Sequence, residues 1–167
     1  MTETLSSDIP DDLAEAAERV LRRACDADLG LATAESCTGG LLASLLTDVE
    51  GCSHAFERGF VVYTEASKTQ MLGVPAEMID HHTAVSEPVA RAMAEGALAH
   101  SEADVALAVT GYAGPSRDTE EGLVHLACAR SGRETIHRER RYGAVGRGAV
   151  RIEALRDAVA MIEEMLD

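Results

Sequence analysis

The stretch DVALAVTGYAG, residues 104–114, decides the fold of this chain. Its centre is a continuous apolar run, and its end is a glycine-containing loop. A strand that is apolar on both sides suits the middle of a sheet covered by helices on both faces, because a sheet with one wet face alternates apolar and polar residues. We therefore predict a central, two-sided buried strand here, with a loop at its carboxyl end.

Helical and strand patterns alternate on both sides of this central strand. Before it we predict helices over 10–28, 39–51, 65–74, 75–82 and 86–101 and strands over 29–35 and 58–64; after it, strands over 122–130 and 134–142 and a helix over 144–166. This order predicts the α/β class, as a three-layer α/β/α sandwich with a mixed, mostly parallel sheet. The last two strands flank the turn SGR and suggest an antiparallel hairpin at the sheet edge. We expect residues 1–9 to be a loose tail and residues 10–167 to be a single domain.

The charge balance excludes some partners. The chain has 167 residues and a net charge of −14, from 29 acidic and 15 basic residues. Nucleic-acid binding requires a basic face, so we expect no nucleic-acid partner. No apolar run approaches the roughly 18 residues of a membrane span, and the N-terminus does not resemble a signal peptide, so we expect a cytoplasmic protein without a membrane partner. A small, alanine-rich chain favours a homo-oligomer.

The cationic residues are unevenly divided: 14 are arginine and one, Lys68, is lysine. An acidic chain that uses arginine in place of lysine is typical of a salt-rich cytosol, where dissolved ions screen its self-repulsion. We therefore predict a halophilic protein. The four cysteines and six histidines show no CxxC, HxH or HExxH spacing, so we expect neither a disulfide framework nor a metal site.

Ser36 lies where a predicted strand meets a predicted helix, in AESCTGG, residues 34–40. A nucleophile at such a junction has free backbone N–H groups nearby, which can stabilise an oxyanion. A serine before a helix is also an ordinary N-cap, and the residues alone favour that interpretation. Cys37 is an alternative nucleophile, although we expect its side chain to point away from that of Ser36 and into the core.

Lys68 is a candidate general base, because a buried lysine can lose its proton near neutral pH whereas arginine cannot. A Ser–Lys pair is a known nucleophile–base arrangement. The alternative is a chance lysine on a helix surface. Tyr63, at the end of the predicted strand 58–64, can donate to an oxyanion or relay a proton, or it is simply a strand aromatic with a wet hydroxyl.

Two further segments suggest anion binding. The glycines of TGYAGP, residues 110–115, permit tight turns that expose N–H groups, although turns need glycine in any case. Arg147 and Arg151 share one face of the last predicted helix and can clamp a phosphate, or they form solvated ion pairs. Ser36, residues 63–68 and this loop each follow a predicted strand, so they converge at one sheet edge if those strands are parallel.

Four stretches together resemble the CinA C-terminal domain family, which includes stand-alone nicotinamide-nucleotide amidohydrolases. They are AESCTGG (34–40), FERGFVVYTEASKTQMLGV (56–74), AVSEPVARAMAEGAL (84–98) and TGYAGP (110–115). The resemblance runs from about residue 11 to the end of the chain, with the motifs in order and correctly spaced. It departs from the family pattern at Ser116-Arg117-Asp118, where a glycine-rich segment is usual, and at Val145-Gly146, where Gly-Asp is usual.

The resemblance implies hydrolysis of the carboxamide of nicotinamide mononucleotide to nicotinate mononucleotide and ammonia, in pyridine-nucleotide recycling, without a cofactor or metal. It implies that Ser36 is the nucleophile, Lys68 the base and Tyr63 their assistant. We expect amides at the start of the following helix to hold the oxyanion, alone or with Tyr63. The substrate-binding residues that we expect are Thr38, Gly39, Gly40, Thr110, Gly111, Ala113, Gly114 and Arg147. Two other functions are open: a nucleotide-binding module without turnover, and an amidase for another small carboxamide.

Overall fold

A computed structural model describes residues 9–167, and its elements follow the predicted order. The helices are α1 (Asp11–Asp26), α2 (Leu41–Leu46), α3 (Glu65–Leu72), α4 (Ala76–His82), α5 (Glu87–Ala99) and α6 (Arg147–Leu166), and the strands are β1 (Leu31–Glu35), β2 (Phe56–Val61), β3 (Val105–Gly111), β4 (Leu123–Arg130) and β5 (Ile136–Arg141). The expected loose tail lies outside the described residues except for Ile9. That residue packs against the core, so the tail prediction was wrong at its last position.

The five strands form one mixed sheet in the order β2-β1-β3-β4-β5. β1 pairs in parallel with both β2 and β3, whereas β4 pairs antiparallel with β3 and β5. The predicted hairpin of the last two strands is confirmed. β3 is the central strand, and its residues from Val105 to Thr110 are all buried. The two-sided apolar run therefore lies where the sequence predicted it.

Helices cover both faces of the sheet and confirm the three-layer sandwich. One face carries a core with Leu, Val and Met side chains from α1, α2 and α6. The other face, under α3, α4 and α5, is built mainly from alanine. Small side chains let helices approach closely: a Cβ added at Gly96 of α5 would lie 2.0 Å from the carbonyl oxygen of Leu72 in α3. That contact fixes the position of α3, the helix that carries Lys68.

Helix α2 is shorter than predicted, at both ends. The prediction covered residues 39–51, but the helix runs from Leu41 to Leu46. Gly39 and Gly40 have φ values of 61° and 97°, which are left-handed and form a tight turn in place of a first helical turn. At the other end the chain leaves the helix after Thr47, whose hydroxyl donates to the carbonyl of Ser44.

The parallel pairing of β2, β1 and β3 brings their carboxyl ends to one edge of the sheet. The segments that follow these strands, beginning at residues 62, 36 and 112, therefore lie side by side. In open α/β sheets this edge is where ligands bind. Among the described residues, no helix is both long and apolar enough to cross a bilayer.

Candidate active site

Ser36 and Lys68 meet at this edge. The ammonium or amine nitrogen Nζ of Lys68 lies 3.1 Å from Oγ of Ser36 and donates a second hydrogen bond, of 3.0 Å, to the carbonyl oxygen of Val62. Lys68 is only 2% exposed and Ser36 only 7%. The single lysine of the chain is therefore not a surface residue, and its nitrogen contacts the hydroxyl that the sequence identified as a candidate nucleophile.

The backbone around Lys68 is built to hold it there. Helix α3 begins with a capping box, in which the Thr64 hydroxyl accepts from the N–H of Ser67 and the Ser67 hydroxyl accepts from the N–H of Thr64. Burial lowers the pKa of Lys68, because the charged form loses its hydration, while Glu65 acts in the opposite direction. A lysine in this setting gives up its proton more readily and can accept one from Ser36.

Cys37 is poorly suited to be the nucleophile. Its side chain is buried in the core layer under α1, α2 and α6, as predicted, while the alanines of β1 that share the face of Ser36 pack in the other layer. Burial raises the pKa of the Cys37 thiol to about 12, so the reactive thiolate is scarce near neutral pH. The serine is the only one of the two neighbours with a candidate base in contact.

The Glu35 carboxylate organises the turn that follows it. It is fully buried and accepts four hydrogen bonds: from the Thr38 hydroxyl at 2.6 Å and from the N–H groups of Gly40, Leu42 and Ala43 at 3.1, 3.0 and 2.8 Å. The amides at the start of α2 are therefore occupied. Our expectation that these amides hold the oxyanion was wrong, because a carboxylate of the chain itself already binds them.

The turn contains two other amides that stay available. Among residues 9–167, the N–H groups of Cys37 and Thr38 donate to no oxygen acceptor, and that of Cys37 lies close only to its own sulfur. The carbonyl oxygen of Cys37 accepts a 2.8 Å bond from Nε of Arg151 in α6. This contact gives Arg151 a different role from the phosphate clamp considered for it, because it holds the turn next to Ser36. The two unoccupied amides follow the nucleophile directly in the chain.

An open pocket of about 220 Å³ lies beside the turn. Its wall combines Tyr63, the loop from Gly111 to Ser116, Thr119 and Arg147, and it reaches the turn at Cys37. Tyr63 is 65% exposed and makes no hydrogen bond to Ser36 or Lys68 in the described structure. Its position suits contact with a ligand ring, and the assistance of the Ser–Lys pair that the resemblance implied stays a prediction.

Arg147 is the cationic group of this pocket. It is the first residue of α6, and its guanidinium packs on Gly114, where an added Cβ would lie 2.4 Å from Nη2. Within residues 9–167 it has no carboxylate partner, unlike many other arginines of the chain. Ala113 and Gly114 line the same pocket. An exposed arginine without a carboxylate partner beside a cavity is suited to an anionic ligand group.

Several expected substrate-binding residues also make contacts that shape the fold, and their binding role stays a prediction. The hydroxyl of Thr38 donates to Glu35, and that of Thr110 donates to the carbonyl of Ala84 at 2.8 Å. A Cβ at Gly111 would lie 2.7 Å from a methyl of Val124, so this glycine allows β3 and β4 to approach. Gly39 and Gly40 form the left-handed turn between Ser36 and α2. The contacts of Thr110 and Gly111 were not readable from the motifs, because their partners, Ala84 and Val124, lie in other segments of the chain.

A larger cavity, of about 490 Å³, lies between α1 and α2, away from Ser36. Its lining includes Asp11, Glu15, Glu18, Asp48 and Glu50, with Arg22 as the basic member. This acidic surface disfavours an anionic ligand, so size alone does not identify the functional site. Within the described residues, no three His, Cys, Asp or Glu side chains are arranged to hold a metal ion. The fold and site thus define an α/β/α protein with a buried Ser–Lys pair beside a small pocket.

Known proteins resemble this chain in sequence. A family model described as the CinA C-terminal domain matches residues 13–166. A CinA-like protein of Akkermansia muciniphila is 58% identical over 111 residues, which are 65% of this chain and 27% of that protein. A CinA-like protein of Syntrophus aciditrophicus is 45% identical over 141 residues, 83% of this chain and 33% of the relative. The matches thus span about a quarter to a third of these relatives' lengths.

Solved structures match over nearly the whole chain. The competence/damage inducible protein CihA from Agrobacterium tumefaciens is 42% identical with a TM-score of 0.92, over 95% of this chain and 98% of that one. A competence-damaged protein (CinA) superfamily protein from Escherichia coli is 33% identical with a TM-score of 0.86, over 98% of this chain and 94% of that one. The chain belongs to the CinA C-terminal domain family.

Proposed function

We propose that this protein hydrolyses the carboxamide of nicotinamide mononucleotide, giving nicotinate mononucleotide and ammonia. The observation that carries the proposal is the buried Lys68 nitrogen 3.1 Å from the Ser36 hydroxyl, at the ligand-binding edge of the sheet. Amide hydrolysis needs a nucleophile, a base in contact with it and donors for the oxyanion. The site offers a candidate for each of these parts.

In the proposed mechanism, neutral Lys68 accepts the hydroxyl proton of Ser36 while Oγ forms a bond to the carboxamide carbon. The carbonyl oxygen becomes an oxyanion, and the free N–H groups of Cys37 and Thr38 stabilise it. The C–N bond then breaks, and ammonia leaves with the proton that Lys68 returns. Water then attacks the resulting ester as Lys68 takes its proton. The bond to Oγ breaks, and Lys68 returns that proton to Oγ, which regenerates Ser36 and neutral Lys68 and releases nicotinate mononucleotide.

The pocket supports a nucleotide substrate. Arg147 provides a cation without a carboxylate partner in the described structure, which suits the 5′-phosphate of the substrate. Tyr63 is an exposed aromatic on the same wall and suits stacking on the pyridine ring or ribose. A ligand that joins a carboxamide to a phosphate can therefore engage the turn at one end and Arg147 at the other.

The test measures ammonia and nicotinate mononucleotide formed from nicotinamide mononucleotide, at low and at molar KCl. We expect turnover by the wild type, none by Ser36→Ala or Lys68→Ala, and wild-type turnover by Ser44→Ala, which removes an exposed serine hydroxyl from α2. Nicotinamide riboside, which lacks the phosphate, should be a poorer substrate. A wild type that binds the nucleotide without turnover would support a binding module, and full activity in Ser36→Ala would reject the mechanism.

A further inference from the structure

We propose that Glu35 is a positioning residue for this reaction. Its carboxylate holds the turn 36–40 so that the two amides directly after Ser36 remain free for the oxyanion. This inference rests on the proposed acyl transfer to Ser36, but not on the identity of the carboxamide. A helix cap with no effect on reactivity is the alternative that the test must separate from it.

The first argument is the free-energy cost of burying the Glu35 carboxylate. Glu35 is fully buried, and within residues 9–167 no basic side chain forms an ion pair with it. Burying a carboxylate without a cation is expensive unless hydrogen bonds replace its hydration. A serine or asparagine just before α2 would cap that helix with a neutral group. Unlike such a cap, the Glu35 carboxylate binds donors along the whole turn, from Thr38 to Ala43.

The second argument is the number of donors that the turn must satisfy. Oε2 of Glu35 accepts from the Thr38 hydroxyl and from the N–H groups of Gly40 and Leu42, while Oε1 accepts from the N–H of Ala43. A carboxylate has about four acceptor positions, whereas an amide side chain has only one oxygen. Only a carboxylate can bind all four donors, so it determines how the turn folds back on β1.

The third argument concerns the amides that are left. The N–H of Ser36 donates to the Val109 carbonyl, that of Gly39 to the Ser36 carbonyl and that of Leu41 to the Thr38 carbonyl. Glu35 binds the N–H groups of Gly40, Leu42 and Ala43. In the described structure, every amide from 36 to 43 except two therefore has an oxygen acceptor. The two are Cys37 and Thr38. The amide that follows a nucleophilic serine is a common oxyanion donor in hydrolases.

Arg151 completes the support from the other side of the turn. Its Nε donates to the Cys37 carbonyl, which belongs to the peptide unit whose N–H is that of Thr38. That peptide plane is therefore fixed at its oxygen by α6, while the Thr38 side chain is fixed by Glu35. The two contacts together set the direction of the free N–H group of Thr38.

A fluorophosphonate probe, which phosphonylates an activated serine, tests the idea without assuming a substrate. Its phosphonyl oxygen needs the same donors as a tetrahedral intermediate. We expect Glu35→Gln to fold but to label Ser36 about 10- to 100-fold more slowly, somewhat less than the loss of a whole oxyanion donor. For nicotinamide mononucleotide we expect kcat to fall by a similar factor while KM changes little, because the defect lies in the transition state.

Matched variants separate positioning from general stability. Glu77→Gln removes an exposed carboxylate from the first turn of α4 and should label at the wild-type rate. Thr38→Val loses one donor to Glu35 and should slow labelling, whereas Thr38→Ser keeps the hydroxyl and should restore it. If Glu35→Gln does not fold, the Thr38 pair decides the question. The acid limb of the pH–rate profile should not move, since Glu35 acts through geometry and not through the charge of Lys68.

The proposal is overturned if Glu35→Gln and Thr38→Val label and turn over at wild-type rates, or if they only lower stability. It is also overturned if the wild type is not labelled at Ser36. A wild type that is labelled at Ser36 in a Glu35-dependent way, but does not hydrolyse nicotinamide mononucleotide, supports the positioning role and rejects the proposed substrate. The two failures are thus distinguishable.

Discussion

The contact between α5 and α3 gives a quantitative prediction for Gly96→Ala. The added Cβ would lie 2.0 Å from the carbonyl oxygen and 2.9 Å from the carbonyl carbon of Leu72, where ordinary contacts are 3.4–4 Å. These are backbone atoms, so α3 must retreat by roughly an ångström. Overpacking of this kind costs about 1–3 kcal/mol, and the better helix propensity of alanine returns up to about 1 kcal/mol.

We therefore expect a net loss of about 1–2 kcal/mol, or a fall of roughly 2–8 °C in Tm for a chain of this size. Lys68 lies one helical turn before Leu72, so the same retreat should lengthen its 3.1 Å contact with Ser36 and lower kcat. Thermal melts and ammonia release measure the two effects. The matched control is Gly148→Ala, also in a helix but with open space around the added atom. A Gly96→Ala protein as stable and active as Gly148→Ala would refute the reasoning.

Four further predictions concern the site and the charges. Lys68→Met should abolish ammonia release but keep or raise Tm, because the two lost hydrogen bonds, of about 1 kcal/mol each, are offset by no longer burying an amine. A large fall in Tm would contradict this. Gly114→Ala should raise KM about tenfold at similar kcat, since its Cβ displaces the flexible guanidinium of Arg147. An unchanged KM would show that Arg147 does not contact the substrate. Burial lowers the pKa values of His125 and His137, so below about pH 6.5 the unfolded chain binds more protons than the folded chain, and the free energy of unfolding falls as pH falls. Urea unfolding from pH 5 to 7 should show a smaller loss of stability toward acid pH for His137→Gln than for the wild type, and an equal loss would exclude this cause. Screening of the −14 net charge should raise Tm between low and molar KCl, and a flat response would argue against the predicted salt-rich cytosol.

Periodicity predicted the fold well because the three inner strands of the sheet, β1, β3 and β4, are made mostly of apolar, buried residues. The run from Val105 to Thr110 is buried on both faces, and the hairpin of β4 and β5 surrounds a short polar turn. The parallel pairing of the first three strands then brought Ser36 and Lys68 together, as expected from where each one follows its strand. The bounds of α2 were less predictable, because two glycines with positive φ values precede it.

The sequence did not predict which partners several side chains contact in three dimensions. Nothing in AESCTGG indicates that Glu35 binds the amides of α2, since any glutamate before a serine looks alike in sequence. The same holds for Thr110, whose acceptor is the carbonyl of Ala84, 26 residues away. Tyr63, at the end of the predicted strand 58–64, lies exposed on the pocket wall, and its assistance of the Ser–Lys pair stays a prediction. The local sequence pattern identifies the segments that form a site, whereas the three-dimensional contacts determine the role of each side chain in it.

The central claim is that Ser36, activated by Lys68, forms a covalent ester with the nicotinoyl group. Acid-quenched mixtures of enzyme in excess over nicotinamide mononucleotide, followed by peptide mass analysis, test it directly. The account predicts an added nicotinate-mononucleotide acyl group on Ser36 that appears within the first turnover, is absent in Lys68→Met and disappears as product forms. Product formed without any acyl group on the Ser36 peptide in these quenched samples, or an acyl group on Cys37 instead, would contradict it.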